Sequence, residues 1–296
     1  MNRGVWKLLE ILEETSRFFA SKDIESPRLQ AELLLADVLE LRRLDLYLQF
    51  ERVLEEFEVD RYREHVKKRL QRLPLQYITG EAGFRDLVFA VSSAVLIPRP
   101  ETEILVALAL HHLKDMSAPW IMDLGCGAGC IGVCVAHEHA RARVASVDIS
   151  AEALKMTWKN ALKNQVGDRL HCLCGDLFEP FGRGAISRFD AILSNPPYVH
   201  SSRIAALEPE VREHEPHLAL DGGEDGLVYY ARIAAQAADF LVPEGVLILE
   251  VGDAAQAEDV DALLRQSGYF GDVEVHPDLN DIPRVLISRK RGERHG

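Results

Sequence analysis

Asp123-Leu124-Gly125-Cys126-Gly127-Ala128-Gly129-Cys130-Ile131 is the stretch whose reading decides the fold. An apolar run, Trp120–Leu124, leads into it and a second apolar run leaves it, so it reads as a strand, a glycine-rich turn and the opening of a helix. Three glycines at alternate positions let the backbone turn sharply and come close to a ligand. The spacing departs from the dinucleotide pattern G-x-G-x-x-G, which argues against a pyrophosphate site. Taken alone, such a turn also serves as a tight strand-to-helix connection.

Working outward, the next strand-like run is Arg143–Asp148. Its last residue, Asp148, lies 23 positions after Gly125, where an acidic side chain accepts hydrogen bonds from both hydroxyls of a ribose. A dinucleotide enzyme uses the same device, so Asp148 does not choose the cofactor. After a third run, Leu170–Cys174, come Asp176 and Leu177, an acid and an apolar wall suited to an adenine; Asp176 serves equally as a turn residue. Further strands are expected at Phe189–Ser194, 246–251, 273–276 and 284–288, with helices over 152–163 and 226–240. This alternation predicts a mostly parallel sheet with helices on both faces and a ligand at the carboxyl ends of its strands.

Residues before 100 read differently. Trp6, Leu9 and Leu12 recur at helical spacing, Ser26-Pro27 is a serine cap with proline in the first turn, and 54–73 forms a third helical stretch. Three or four helices here predict a small bundle. The run 84–91 alternates in part between turn-type residues and predicts a β-hairpin. The expected organisation is a helical domain over 1–74, a hairpin linker over 75–97 and an α/β domain over 98–296.

The chain has 296 residues, 47% of them hydrophobic and 27% charged, enough for a sizeable core. A net charge of −13 leaves no basic footprint for nucleic acid and suits a basic protein partner. No run reaches membrane-spanning length, and the acidic residues of 1–14 do not fit a signal peptide. The expectation is a cytoplasmic monomer. Five cysteines without a C-x-x-C pair predict free thiols and no metal centre. Cys126 sits at a helix N-terminus, which favours a thiolate, but no histidine accompanies it in the motif.

After the fourth strand stands Ser194-Asn195-Pro196-Pro197-Tyr198. Two prolines stiffen the chain and remove two N–H donors. The Asn195 side-chain oxygen and the Pro196 carbonyl then provide two acceptors for a planar NH2 group, and the Tyr198 ring provides a face for it to stack on. An amide nitrogen is a poor nucleophile, so orientation is the main task of any enzyme acting on it, and positioning supplies roughly 7–11 kcal/mol.

These residues resemble the release-factor glutamine methyltransferases, the HemK/PrmC family, over nearly the whole chain. Gln76-Tyr77-Ile78-Thr79-Gly80, the run 95–103 with its Pro98-Arg99-Pro100 core, the glycine turn, the Asn-Pro-Pro-Tyr corner and the segment 215–226 each look like a family motif. The resemblance implies a seven-stranded, Rossmann-like class I methyltransferase sheet behind a helical N-terminal domain. It implies S-adenosylmethionine as cofactor and the glutamine of the Gly-Gly-Gln motif of peptide chain release factors as substrate. The implied cofactor contacts are Gly125, Cys126, Gly127, Ala128, Gly129, Asp148, Leu177 and Asn195. The implied substrate contacts are Asn195, Pro196, Pro197 and Tyr198, with Phe84 as a wall of the glutamine pocket. Arg99 and Glu103 either pair with each other to anchor the hairpin or touch substrate. Three alternatives share parts of this pattern: a ribosomal-protein glutamine methyltransferase, an adenine-N6 DNA methyltransferase, and a cofactor-binding protein without turnover. The DNA reading needs a basic face that the charge does not supply.

Overall fold

A computed structural model describes residues 6–182 and 188–292; the first five residues of the acidic N-terminal stretch lie outside it. The chain divides into two compact units, one of Met1–Gly80 with Pro209–His214, the other of Glu81–Glu208 with Glu215–Gly296. Residues of the expected hairpin from Glu81 onward group with the second unit.

The first unit holds α1 (Leu8–Ala20), α2 (Pro27–Leu39), α3 (Arg43–Leu46), α4 (Glu56–Leu70) and α5 (Leu75–Thr79). On α1, Leu8, Ile11, Leu12, Thr15 and Phe19 are buried, one stripe at helical spacing. Helix α2 starts at Pro27 as expected, but Ser26 is no cap: its φ of 47° is left-handed and its side chain makes no capping bond. Helix α4 is shorter than the expected 54–73 because Arg72 turns left-handed (φ 63°) ahead of Pro74. A buried carboxylate, Glu32, ties α2 to α3 by accepting Arg28 Nε at 2.6 Å, Arg43 Nε at 2.8 Å and Tyr47 OH at 2.7 Å. A late segment returns to this unit. Within Pro209–His214, Glu210 accepts Arg69 Nη2 at 2.8 Å and Arg72 Nη1 at 3.3 Å.

The second unit begins with β1 (Glu81–Phe84) and β2 (Leu87–Ala90), an antiparallel pair. The expected alternating run 84–91 is broken by Arg85-Asp86, where Arg85 adopts φ 51° and the chain reverses. There follow α6 (Thr102–Leu113), β3 (Trp120–Leu124), α7 (Cys130–Glu138), β4 (Arg143–Asp148), α8 (Ala151–Lys163), β5 (Leu170–Cys174) and β6 (Phe189–Ser194). After α9 (Pro209–His214) of the first unit come α10 (Val228–Phe240), β7 (Leu241–Glu250), α11 (Ala254–Ser267), β8 (Phe270–Pro277) and β9 (Pro283–Lys290).

Seven strands form one sheet in the order β5-β4-β3-β6-β7-β9-β8. The first five run parallel, and β9 enters antiparallel between β7 and β8. Strand side chains alternate between two buried faces. Ile121, Ala191, Leu193 and Ile248 point to one core with α6 and α7, whereas Met122, Ile192, Leu247 and Leu249 point to the other with α10 and α11. Burial on both faces is why the strands read as continuous apolar runs. The order reverses between β3 and β4 on one side and β3 and β6 on the other, which places a crevice at the carboxyl ends of β3 and β6.

Candidate active site

The glycine turn leaves β3 with Gly125, Gly127 and Gly129 at φ 69°, 54° and 79°, all in the left-handed region. Nothing lies within 4 Å of where a Cβ would stand at Gly125 or Gly127, so a ligand has room there. At Gly129 a Cβ would meet Thr157 Cγ2 at 2.8 Å, so the third glycine serves packing. Two residues of α8 staple the turn from below. Thr157 Oγ1 donates to the Gly127 carbonyl at 2.9 Å, and Asn160 Nδ2 donates to those of Ala128 and Ala90, each at 2.9 Å. Neither residue is legible as functional in the sequence. The available signal was two polar side chains on the apolar face of a helix, and both are wholly buried.

Asp148 ends β4 and accepts Gly127 N–H on Oδ2 at 2.9 Å and Ser150 N–H on Oδ1 at 2.8 Å. Each oxygen keeps a lone pair for a further donor. Burial raises its pKa, against the Ser150, Gly127 and Ile149 N–H groups. Asp176 is held at 2.8 Å by Arg232, and Leu177, left-handed at φ 51°, presents an apolar wall beside it.

The end of β6 is tied to the end of β3 by Ser194 Oγ, which donates to the Leu124 carbonyl at 2.8 Å. That bond sets Asn195 beside Gly125. The two motifs share one cavity, open to solvent, with Gly125, Gly127, Asp148, Leu177, Asn195, Pro196 and Pro197 in its lining. Val95 and Leu96, and Leu218 and Ala219, supply apolar walls. Asn195 Nδ2 donates to Thr102 Oγ1 at 3.2 Å.

The segment after the corner clamps it. Val199 N–H donates to the Leu220 carbonyl and Gly222 N–H to the Val199 carbonyl, at 2.9 and 2.8 Å. A Cβ at Gly222 would stand 2.8 Å from Tyr198 Cα, and one at Gly226 2.7 Å from the Tyr198 carbonyl oxygen. Backbone approach explains Gly222 and Gly226 in the 221–226 run, whereas a Cβ at Gly223 (φ 92°) would meet the Val228 side chain at 2.5 Å. Glu215 accepts Arg99 Nη2 at 2.6 Å and Ile97 N–H at 3.2 Å, holding the 95–99 loop at the cavity.

Several expected contacts fall elsewhere. Cys126 and Ala128 are buried under the turn, and neither they nor Gly129 line the cavity. Burial drives the Cys126 thiol well above its ordinary pKa, and the thiol contacts Thr157 Oγ1 at 3.3 Å. Phe84 is no pocket wall. Its ring is 1% exposed and lies edge-to-face against Phe89, 6.0 Å between centroids, in the core beneath α6. The Tyr198 ring packs against Gly252 and the α10–α11 core, outside the cavity lining, and burial pushes its hydroxyl up to about 12. Arg99 and Glu103 do not pair with each other. Arg99 holds Glu215, and Glu103 accepts Arg85 N–H at 2.8 Å, which anchors the hairpin turn. Among the described residues no group of three or more His, Cys, Asp or Glu could hold a metal ion.

A sheet of this order, with a glycine turn and an Asn-Pro-Pro corner in one crevice at its carboxyl edge, defines a class I methyltransferase. Residues 10–80 match the PrmC N-terminal domain and residues 102–233 the Methyltransferase small domain. The chain is 40% identical to the release factor glutamine methyltransferase of Geobacter sulfurreducens, over 96% of this chain and 97% of that one, and 42% identical to that of Chlorobaculum tepidum, over 95% and 97%. The chain belongs to the release factor glutamine methyltransferase family. Among solved structures it is similar to a release factor-specific protein-(glutamine-N5) methyltransferase from Alicyclobacillus acidocaldarius, with 29% identity, a TM-score of 0.41, and coverage of 69% of this chain and 99% of that one.

Proposed function

We propose that the protein transfers a methyl group from S-adenosylmethionine to the side-chain amide nitrogen of the glutamine in the Gly-Gly-Gln motif of peptide chain release factors. The products are N5-methylglutamine and S-adenosylhomocysteine. The reading rests on one observation: Gly125 and Gly127 share a cavity with Asn195 and Pro196. The residues present fit the cofactor. Open space faces Gly125 and Gly127, Asp148 keeps acceptor capacity for a ribose diol, and Leu177 offers an apolar face for a base.

Bound there, S-adenosylmethionine supplies an electrophilic methyl group. The chain's own part is orientation. Asn195 turns its NH2 toward Thr102, so Oδ1 is the end left to accept an N–H of the substrate amide. The Pro196 carbonyl accepts the other, and the two acceptors together aim the nitrogen. Val95, Leu96 and Leu218 set apolar surface around it. Tyr198 acts from behind: its ring and its carbonyl, which accepts Gln256 Nε2 at 3.1 Å, brace the corner.

Residues 1–74 are assigned to docking of the protein substrate. Leu44 and Leu48, 73% and 84% exposed at α3 and its end, support the assignment. The net charge of −13 argues for a protein partner over nucleic acid. Among the described residues no helix is long and apolar enough to cross a membrane. The same reading takes the protein as a cytoplasmic monomer.

The test is transfer of label from methyl-labelled cofactor to purified release factors, with and without their Gly-Gly-Gln glutamine changed. Label lost with that glutamine supports the reading. Label persisting on the changed factors, or appearing only on ribosomal protein, overturns it.

A further inference from the structure

The orientation of the Asn195 amide decides whether it accepts from a substrate NH2 or confronts it with a second pair of donors. Two buried residues outside the cavity lining bear on that choice. Thr102, at the first turn of α6, is 2% exposed and takes Asn195 Nδ2 on its hydroxyl oxygen at 3.2 Å. Glu250, the last residue of β7, is 1% exposed. The Thr102 hydroxyl stands near enough to its carboxyl to oppose the effect of burial on it, while Glu250 Oε2 has no hydrogen-bond partner among the described residues. A buried carboxyl with one oxygen unsatisfied is costly, and the sheet has an apolar residue at nearly every neighbouring position.

We propose that Thr102 and Glu250 are positioning residues that set which end of the Asn195 amide faces the reacting nitrogen. The inference rests on the grip assigned to Asn195 above. A hydroxyl has one hydrogen, and a carboxylate only accepts. With Glu250 ionised, that hydrogen goes to the carboxylate, so Thr102 Oγ1 has only lone pairs to offer Asn195. Nδ2 turns to Thr102 and Oδ1 turns to the cavity. A protonated Glu250 reverses the logic, because its O–H donates to Thr102 and frees the hydroxyl hydrogen for Asn195 Oδ1. The amide then turns over and points two N–H donors at the substrate NH2.

Burial pushes Glu250 up to about 7, opposed by the Thr102 hydroxyl and by Arg284. The charged and titratable groups around it are Arg284 on β9, Arg99 and Glu101 ahead of α6, Tyr198 of the corner, Tyr230 of α10 and Cys130 of α7. Burial pushes the tyrosines and the cysteine upward. Glu101 is the remaining carboxylate in the set.

The test measures single-turnover methyl transfer and cofactor affinity in the full chain, with Asn195→Ala as the reference for loss of the grip. Thr102→Val should cut the transfer rate about tenfold or more with cofactor affinity unchanged, and Thr102→Ser should restore it. The wild-type rate should fall as pH drops through about 7, and Glu250→Gln should abolish that limb. Wild-type transfer in Thr102→Val beside an inactive Asn195→Ala overturns this inference and leaves the grip standing. An active Asn195→Ala overturns the grip itself. If Thr102→Val fails to fold, an unchanged pH profile in Glu250→Gln still overturns the inference.

Discussion

The Ser194 hydroxyl donates to the Leu124 carbonyl at 2.8 Å across the carboxyl ends of β6 and β3. Seventy residues of chain separate the pair. Through it the two motifs that carry the chemistry, one leaving each strand, open into the same crevice. Both strands are internal and covered on both faces, so the crevice is built on packed strands rather than on a surface loop.

Asn195→Ala removes the side-chain acceptor and leaves the glycine turn intact. The transfer rate should fall by about two orders of magnitude or more, while cofactor affinity changes little. Rapid-quench transfer measured beside equilibrium cofactor binding separates the two effects. Near-normal turnover rules out the assigned role.

Gly129→Ala places a Cβ 2.8 Å from Thr157 Cγ2 at φ 79°. Strain and overpacking should together cost about 1–3 kcal/mol of stability and loosen the Thr157 staple beneath Gly127. Gly268→Ala is the control: φ is 75° there too, but nothing lies within 4 Å, so only the backbone cost of roughly 1–2 kcal/mol applies. Denaturant midpoints of both variants, with cofactor binding measured alongside, check the contrast. Cofactor affinity should drop for Gly129→Ala alone.

Asp123 is wholly buried, its Oδ1 has no partner among the described residues, and burial lifts its pKa to about 7 against the Gly132 N–H. A folded-state pKa above the unfolded value means that the native protein holds a proton that the unfolded chain has lost. Stability should therefore fall as pH rises from about 4 to about 7. Asp123→Asn should flatten that slope. Urea midpoints across the window test it, and an unchanged slope in the variant would count against the assignment.

Leu44 and Leu48 are assigned to the docking surface. Leu44→Asp with Leu48→Asp should raise KM for the release factor, with at least about 1 kcal/mol lost per anchor, and leave cofactor binding untouched. Kinetics with a release factor and with a short Gly-Gly-Gln peptide distinguish docking from damage at the cavity. Equal losses on both substrates would remove the assignment.

Sequence alone carried the elements. The strands at Trp120–Leu124, Arg143–Asp148, Leu170–Cys174 and Phe189–Ser194, the glycine turn after β3 and the proline-stiffened corner after β6 are all legible in it. Each depends on properties confined to a few consecutive residues: apolar runs buried on both faces, left-handed φ, or a proline ring. Tertiary structure decided which side chains meet. Phe84, a pocket wall by the family resemblance, lies in the core, because the Arg85-Asp86 turn folds it onto Phe89. Arg99 passes over the nearby Glu103 for Glu215, 116 positions away, and Thr157 and Asn160 staple a turn 30 and 32 residues upstream. No local pattern encodes such partners. Each is selected by close packing and by the cost of leaving a buried polar group unpaired, and both act only once the chain has come together.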